Sequence, residues 1–305
     1  MTAQPPAETG PKTNWTLREM LLWATGYLEK KGSLSPRLDV ELLLAHVLHM
    51  PRIQLYVQFE RVLQASEKAQ FRGVLTRRAQ GEPIAYILGT KGFMSHTFAV
   101  NPHVLIPRSD TECLVEAVLQ DHATITTPLR ILDAGTGSGC ILLSLLKARP
   151  QDHGIGWDIS PGALQVAQHN AQRLEIPARQ LALHLRDMSQ AESWATETSV
   201  QILVSNPPYI APEEESELSP SVRSYEPREA LFAPDSGVFF YKKIQAHAGN
   251  LLAPGAKVYL EMGHLQSASV VEIFSTPAWC DTRLIPDLQG IPRVLATTYT
   301  GVPPR

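Results

Sequence analysis

The chain reads Ile131-Leu132-Asp133-Ala134-Gly135-Thr136-Gly137-Ser138-Gly139 where a strand pattern gives way to a helix pattern. The apolar residues before Gly135 predict a buried strand, and the apolar run from Cys140 to Leu146 predicts a helix. Glycine allows a turn with positive φ and lets a ligand approach the backbone without meeting a Cβ atom. The helix start offers unpaired amides and a positive dipole end. We therefore predict a ligand-binding strand–turn–helix unit; the alternative is a tight turn that binds nothing.

A second acidic position follows at the end of the next predicted strand, Gly156-Trp157-Asp158. A carboxylate at that place can accept hydrogen bonds from ribose hydroxyls. The glycine spacing is G-x-G-x-G rather than the dinucleotide pattern G-x-G-x-x-G, and Asp133 stands two residues before the first glycine. These differences favour S-adenosylmethionine over NAD as the ligand. Asp133 can reach the cationic amino end of that donor through a water molecule.

From residue 129 onward, short apolar runs alternate with helical patterns. Such alternation predicts a mostly parallel sheet with helices on both faces, which is a Rossmann-like α/β fold. The predicted strands are Leu129–Ala134, Gly154–Asp158, Leu181–Leu185, Ile202–Ser205, Lys257–Met262 and Val294–Tyr299.

The N-terminal part of the chain shows a helical pattern instead. Thr16 and Glu19 fit a capping box ahead of the first helix. Ser35-Pro36 resembles the start of a second helix, with proline at its first position. A third helix is predicted from Ser66 to Gln80. We expect a disordered tail over residues 1–14 and a small helical domain over residues 15–82.

Residues 83–108 predict a linker between that domain and a catalytic domain over residues 109–305. Two short apolar runs flank Asn101-Pro102, and this arrangement indicates a β-hairpin that turns there. Ser109 then caps the next helix, with Glu112 at the capping-box position.

A second motif, Asn206-Pro207-Pro208-Tyr209, follows the predicted strand Ile202–Ser205. Ligands of open parallel sheets bind beyond the carboxyl ends of the strands, so this motif and the glycine turn should open on one crevice. The Asn206 side-chain oxygen and the Pro207 carbonyl can each accept one hydrogen of a planar NH₂ group. Two such acceptors would orient a delocalised lone pair toward a methyl group and stabilise the positive charge that develops on nitrogen. Pro207 and Pro208 stiffen the loop, and the Tyr209 ring can cover the flat face of the amide.

Composition excludes several classes of protein. The net charge of −3 gives no basic excess for gripping duplex DNA directly. The three cysteines form no C-x-x-C pair, so neither a disulfide framework nor a structural zinc site is expected. We find no secretory signal and no run of 18 apolar residues, and therefore expect a cytoplasmic protein without a membrane span. His46 and His49 lie three residues apart but have no third ligand nearby, so no metal is expected.

At its motifs the chain resembles the bacterial protein-glutamine methyltransferases, and among them those that act on peptide chain release factors. The resemblance extends from about residue 16 to residue 300. The matching segments are Gly81 to Tyr86, Leu105 to Glu112, Asn206 to Tyr209, Tyr225 to Leu231 and Gly290 to Val294.

The resemblance implies that S-adenosylmethionine is the methyl donor and that a glutamine side chain is the acceptor. The acceptor would be the glutamine in the Gly-Gly-Gln loop of class 1 release factors, and the helical N-terminal domain would help to grip that partner. A monomer is expected. Asn206, Pro207, Pro208 and Tyr209 would hold the glutamine, with Asn206, Pro207 and Tyr209 as the catalytic group. The implied donor contacts are Gly135, Thr136, Gly137, Ser138, Gly139, Asp158, Asp187, Met188 and Asn206.

Three other readings stay open at this point. Asn-Pro-Pro-Tyr also suits the exocyclic amine of adenine in DNA or RNA, because that target is a planar NH₂ group too; the acidic charge balance and the helical domain argue against it. A large-subunit ribosomal protein is a nearer alternative substrate, although Asp110-Thr111-Glu112 favours the release factor. A silent donor-binding module is the third, and the presence of Asn206 speaks against it.

Overall fold

The computed structural model describes residues 14–195 and 199–302. The chain divides into two compact units, Met1–Leu88 and Gly89–Arg305. The predicted tail over residues 1–14 lies outside the described residues, apart from Asn14. Within the described ranges, no helix has both the length and the apolar character needed to cross a bilayer.

The first unit is helical, as the sequence predicts. The Thr16 capping box is confirmed: the Glu19 amide donates to Thr16 Oγ1 at 3.3 Å, and the Thr16 amide donates to Glu19 Oε2 at 3.0 Å. Ser35 precedes the second helix without a side-chain capping bond. The helices are α1 Leu17–Lys30, α2 Pro36–Val47, α3 Arg52–Val57, α4 Ala65–Ala79 and α5 Ile84–Leu88.

The core of this unit is built from the apolar faces of α1, α2 and α4. Leu21 and Leu28 of α1 pack with Leu43 of α2 and Phe71 of α4, and Ile87 of α5 joins the same cluster. Helix α5 therefore belongs to the helical unit, although the sequence assigned residues 83–88 to the linker.

The hairpin exists, but its predicted turn is wrong. Strands β1 (Thr90–Phe93) and β2 (His96–Ala99) pair antiparallel around Met94-Ser95, not around Asn101-Pro102. Residues 101–107 run irregularly because the Asn101 side chain accepts from the His103 amide, which closes a local turn, and Pro102 and Pro107 have no amide to offer a ladder.

The predicted capping box at Ser109 and Glu112 is also wrong. Ser109–Thr111 forms a 3-10 turn without a side-chain cap, ahead of helix α6 (Glu112–Asp121). Glu112 Oε1 instead accepts from the Met94 amide at 2.6 Å. Met94 has φ of 51°, so this carboxylate holds a hairpin turn that the residue types alone do not favour.

A seven-stranded sheet forms the centre of the second unit within the described residues. Its strands are β3 Arg130–Ala134, β4 His153–Asp158, β5 Leu181–Leu185, β6 Val200–Ser205, β7 Leu252–Glu261, β8 Trp279–Pro286 and β9 Pro292–Tyr299. They lie in the order β5-β4-β3-β6-β7-β9-β8. Neighbours from β5 to β7 are parallel, and β9 runs antiparallel to both β7 and β8. The Rossmann-like prediction is thus confirmed.

Helices cover both faces of this sheet. Side chains alternate between two cores: Leu203 of β6 lies in the first, whereas Ile202 and Val204 lie in the second. The hairpin residues Phe93 and Phe98 belong to the second core as well. The remaining helices are α7 Cys140–Ala148, α8 Pro161–Arg173, α9 Pro220–Tyr225, α10 Phe239–His247 and α11 Ser267–Ile273.

Candidate active site

A cavity of about 250 Å³ opens at the carboxyl edge of the sheet. Strand β3 pairs with β4 on one side and with β6 on the other, so the chain order reverses there. Such switch points are where open α/β sheets bind ligands. Both sequence motifs reach this cavity. The predicted site residues that line it are Gly135, Thr136, Gly137, Ser138, Asp158, Asp187, Met188, Asn206 and Pro208.

The glycine turn has the backbone that its composition predicts. Gly135, Gly137 and Gly139 have φ of 82°, 56° and 79°. A Cβ at Gly135 would lie 2.8 Å from the Met188 side chain, and one at Gly139 would lie 2.9 Å from Leu143. Gly139 is the N-cap residue ahead of α7 and does not line the cavity, so its predicted contact with the donor stays a prediction.

Asp133 lies behind this turn and is fully buried. Its Oδ2 accepts from Thr136 Oγ1 at 2.8 Å, whereas its Oδ1 has no hydrogen-bond partner in the described part of the chain. Burial raises the pKa of Asp133 to about 7. Since Asp133 does not line the cavity, any influence on a ligand passes through Thr136 or through a bridging molecule.

Asp158 ends β4 at the cavity wall. Its Oδ2 accepts from the Gly137 amide at 2.8 Å, and its Oδ1 accepts from the Ser160 amide at 2.9 Å. Burial raises the pKa of Asp158, and these two hydrogen bonds oppose the rise. Each carboxylate oxygen keeps a lone pair that a ligand hydroxyl can use.

Asp187 and Met188 follow β5 on the same side of the cavity. Burial acts to raise the pKa of Asp187, but hydrogen bonds from Ser189 and Gln190 bring it below its usual value. The Trp194 indole donates to the Met188 carbonyl at 2.9 Å and so fixes the backbone there. The Met188 side chain packs beside Gly135 and forms part of an apolar wall.

Asn206 stands directly after β6, and its position is tied to β3. Ser205 Oγ donates to the Ala134 carbonyl at 2.5 Å, which joins the two strand ends that carry the motifs. Asn206 Nδ2 donates to Thr111 Oγ1 at 3.3 Å. Pro207 is buried and does not line the cavity, whereas Pro208 does.

Tyr209 is half-buried and packs against the first hydrophobic core rather than lining the cavity. Its predicted contact with a substrate amide therefore stays a prediction. Its carbonyl accepts from Gln266 Nε2 at 2.7 Å. Gly237 approaches the same carbonyl so closely that a Cβ there would lie 2.2 Å away.

The turn that carries Gly237 is left-handed over three successive residues, Asp235, Ser236 and Gly237, with φ of 54°, 52° and 82°. Two of these are not glycine, and such conformations cost of order 1–3 kcal/mol each. This turn brings the Gly237 backbone against the Tyr209 carbonyl, where a side chain at position 237 would not fit.

Two other groups at the site, Asn170 and Glu261, were missed by the sequence reasoning, whereas Glu226 lies in the matching segment from Tyr225 to Leu231. Glu226 is buried and accepts from the Ile106 amide and from Arg108 Nη2, which joins two segments of the cavity wall. Asn170 of α8 donates to the carbonyls of Ser138 and Ala99 at 2.9 Å and 3.0 Å. Glu261 is buried at the end of β7 beside Asn206. A single acid or amide gives no local signal of a partner more than 30 residues away along the chain.

Known proteins that resemble this chain agree with this architecture. The model of the PrmC N-terminal domain matches residues 19–89, and that of a methyltransferase domain matches residues 125–259. A release factor glutamine methyltransferase of Geobacter sulfurreducens is 41% identical over 92% of this chain and 96% of its own length. That of Koribacter versatilis is 38% identical over 92% of this chain and 97% of its own.

Among solved structures, a protein-(glutamine-N5) methyltransferase described as release factor-specific, from Alicyclobacillus acidocaldarius, is 31% identical. The match covers 66% of this chain and 99% of that one, with a TM-score of 0.40. The sequence identities to the two curated relatives, over nearly their whole lengths, show that the chain belongs to the release factor glutamine methyltransferase family.

Proposed function

We propose that this enzyme transfers a methyl group from S-adenosylmethionine to the glutamine side-chain amide of the Gly-Gly-Gln motif in class 1 peptide chain release factors. The observation that carries the proposal is the meeting of two motifs in one cavity. The glycine turn after β3 and Asn206 after β6 line the same space of about 250 Å³.

The residues around the glycine turn fit the donor. The buried Asp133 Oδ1 has no partner among the described residues, and a negative charge on this carboxylate would attract a cationic amino group. Asp158 has lone pairs for ribose hydroxyls, and Met188 with Gly135 offers an apolar wall to a purine. When bound, S-adenosylmethionine supplies an electrophilic methyl carbon on a positively charged sulfur.

The chain's contribution to the reaction is to orient the nitrogen. The Asn206 side-chain oxygen and the Pro207 carbonyl would accept the two hydrogens of the glutamine NH₂ and direct its lone pair at the methyl carbon. The C–S bond breaks as the N–C bond forms, and the nitrogen then releases one proton to solvent. Positive charge on nitrogen grows during the step, so fixed acceptor dipoles stabilise the transition state more than the ground state.

The helical unit would recognise the release factor. Its α1 carries Trp23, which is 50% exposed and stacks on Tyr27 with a centroid distance of 5.5 Å. Trp15 meets Trp23 edge to face at 5.8 Å. Exposed rings held in place by one another are suited to anchoring a protein partner at low entropic cost.

Parallel transfer assays test the substrate. Radiolabelled donor is offered with purified release factor, with large-subunit ribosomal protein and with adenine-containing DNA. A release factor whose Gly-Gly-Gln glutamine is replaced by alanine serves as the matched control. We expect label in the intact release factor alone. Label in DNA alone, or equal labelling of the alanine control, would refute the proposal.

A further inference from the structure

Glu261 is a buried carboxyl that the proposed reaction does not use directly. It ends β7, whose register pairs Ser205 with Leu260, so Glu261 stands level with Asn206 on the neighbouring strand. The Glu261 residue is 2% exposed, and its Oε2 has no hydrogen-bond partner in the part of the chain that the structure describes. An acid held in this way costs stability, so its position calls for a reason.

Thr111 contacts Asn206, and both residues act on Glu261. It precedes α6 at the N-cap position, but its side chain makes no capping hydrogen bond. Its hydroxyl accepts from Asn206 Nδ2 at 3.3 Å, and both the Thr111 hydroxyl and the Asn206 amide favour the ionised form of Glu261. A hydroxyl that accepts from an amide still has its own proton to donate.

The direction of this hydrogen-bond chain follows from the chemistry of its last member. An ionised carboxylate can only accept, so the Thr111 hydroxyl and the Asn206 amide, which both favour the ionised form of Glu261, act on it as hydrogen donors. The Thr111 oxygen then accepts a hydrogen from Asn206, and only the NH₂ end of the Asn206 amide can donate it. The oxygen of Asn206 is left facing the cavity.

We propose that Glu261 and Thr111 are positioning residues that fix the Asn206 amide with its NH₂ group toward the sheet and its oxygen toward the substrate. This inference rests on the proposed function, in which that oxygen receives a hydrogen of the glutamine amide. If the Asn206 amide were flipped, its NH₂ group would face the NH₂ group of the substrate glutamine. Both groups are donors, so no hydrogen bond could form and the reactive orientation would be lost.

The surroundings of Glu261 leave its carboxyl partly protonated and partly ionised at neutral pH. Burial raises the pKa of Glu261 to about 7; Thr111, Arg293 and Asn206 oppose this rise, and Asp110 adds to it. Cys113, Cys140, Tyr209 and Tyr241 also face it, but burial raises the pKa of each of them, to about 11 for Cys113 and about 12 for Cys140. Glu261 is therefore the group in this cluster whose charge changes near pH 7.

The test compares four variants at saturating donor. Glu261→Gln and Thr111→Val should each lower kcat for the release factor roughly 10- to 100-fold, since a misoriented acceptor loses the reactive geometry. The donor Kd, measured by calorimetry, should change little. Thr111→Ser keeps the hydroxyl and should recover most of the turnover that Thr111→Val loses. Thr297→Val removes a hydroxyl that is equally buried, on β9, and should leave kcat unchanged.

A pH profile separates orientation from simple loss of packing. The wild-type kcat should fall as the pH drops below about 7, because Glu261 then gains a proton and can donate. In Glu261→Gln this decline should be absent. A merely structural role would leave the decline in place.

Nuclear magnetic resonance gives a readout that needs no substrate. In protein labelled with ¹⁵N-asparagine, the side-chain NH₂ of Asn206 is assigned by its loss in Asn206→Ala. It should exchange slowly with water in the wild type and clearly faster in Thr111→Val and Glu261→Gln. Equal exchange rates, or wild-type kcat in both variants, would overturn the inference. Failure of the wild type to label the release factor would count against the proposed function alone.

Discussion

Asp133 shows what the donor site costs the folded protein. Burying a carboxylate with one oxygen unpaired destabilises the fold, and the same burial raises the pKa of Asp133. A ligand with a positive charge on the far side of Thr136 would relieve it. The acid is therefore best understood as part of a site completed by its ligand.

Asp133→Asn should stabilise the free protein in a pH-dependent way. The folded-state pKa of Asp133, about 7, lies above its ordinary value of 3.8, so the wild type loses stability as the pH rises from about 4 to 7. The variant lacks that loss, and its advantage in free energy of unfolding should grow over this range to roughly a few kcal/mol and then level off. Urea denaturation at pH 4, 6 and 8 measures it. An advantage that stays constant with pH would contradict the assignment.

Affinity for the donor should change in the opposite sense in the same variant. Asp133→Asn removes the negative charge that a cationic amino group needs, so calorimetry at pH 8 should show weaker donor binding together with higher stability. Equal affinity would mean that Asp133 serves only to hold Thr136.

Asn206→Ala removes the acceptor oxygen that is proposed to align the substrate nitrogen. Turnover with the release factor should fall roughly 10²- to 10³-fold, by analogy with the loss of one fixed dipole at a developing charge. The donor Kd should change far less. Gln201→Ala, which removes an amide from the exposed side of the same strand, is the matched control. Near-normal turnover in Asn206→Ala would rule out the assigned role.

At the scale of elements, turns rather than strands determine the precision of the site. The strands bring the motifs to one edge of the sheet. The Asn206 loop, however, is held by the side chain of Gln266, the residue before α11, and by the left-handed turn at Gly237. Both act on the Tyr209 carbonyl. The loop is thus supported by residues that do not line the cavity.

Gly237→Ala should disturb this support. The new Cβ would lie 2.2 Å from the Tyr209 oxygen, so backbone must move, and alanine at positive φ adds about 1–2 kcal/mol of strain. We expect a lower Tm and a drop in kcat with donor binding largely kept. Gly73→Ala is the control: it lies in α4 with nothing within 4 Å of the added atom, and it should raise stability by about 0.5–1 kcal/mol. Calorimetric scans and initial rates measure both, and an active, stable Gly237→Ala would refute the support role.

Local patterns explain which elements the sequence could predict. Buried parallel strands such as β3 and β6 are nearly continuous apolar runs, so their positions are clear. Strand β8 was missed because it lies at the sheet edge with most of its side chains exposed, and it carries no apolar run. The hairpin turn was misplaced because Asn101-Pro102 is a stronger turn signal than Met94-Ser95. Glu261 was missed because Thr111 lies just before α6 and Asn206 just after β6, and only the folded sheet brings them beside it.

At the scale of the whole molecule, the chain consists of two compact units. The donor cavity is built entirely from residues of the second unit. The first unit contributes exposed aromatic rings and its own closed core. Donor binding and partner recognition should therefore respond to different substitutions.

Trp23→Ala tests this division. Losing an exposed, pre-ordered ring should raise KM for the release factor several-fold, while kcat at saturation and the donor Kd stay near wild type. Ile53→Ala on α3, another exposed apolar side chain of the same unit, is the control. Steady-state kinetics with varied release factor distinguishes the two. An unchanged KM in Trp23→Ala would place recognition elsewhere.

The pairing of Asn170 with Ala99 and Ser138 has a practical consequence for chimeric enzymes. The Asn170 side chain is hydrogen-bonded to strand β2 and to the glycine turn, and Phe93 and Phe98 pack in the second hydrophobic core. A graft that replaced the chain up to residue 108 would remove Ala99 and its hydrogen bonds with Asn170. The glycine turn of the donor pocket would then lose part of its support. The boundary for such a graft lies between Leu88 and Gly89, where one compact unit ends and the next begins, so that the Asn170 contacts stay within the second unit.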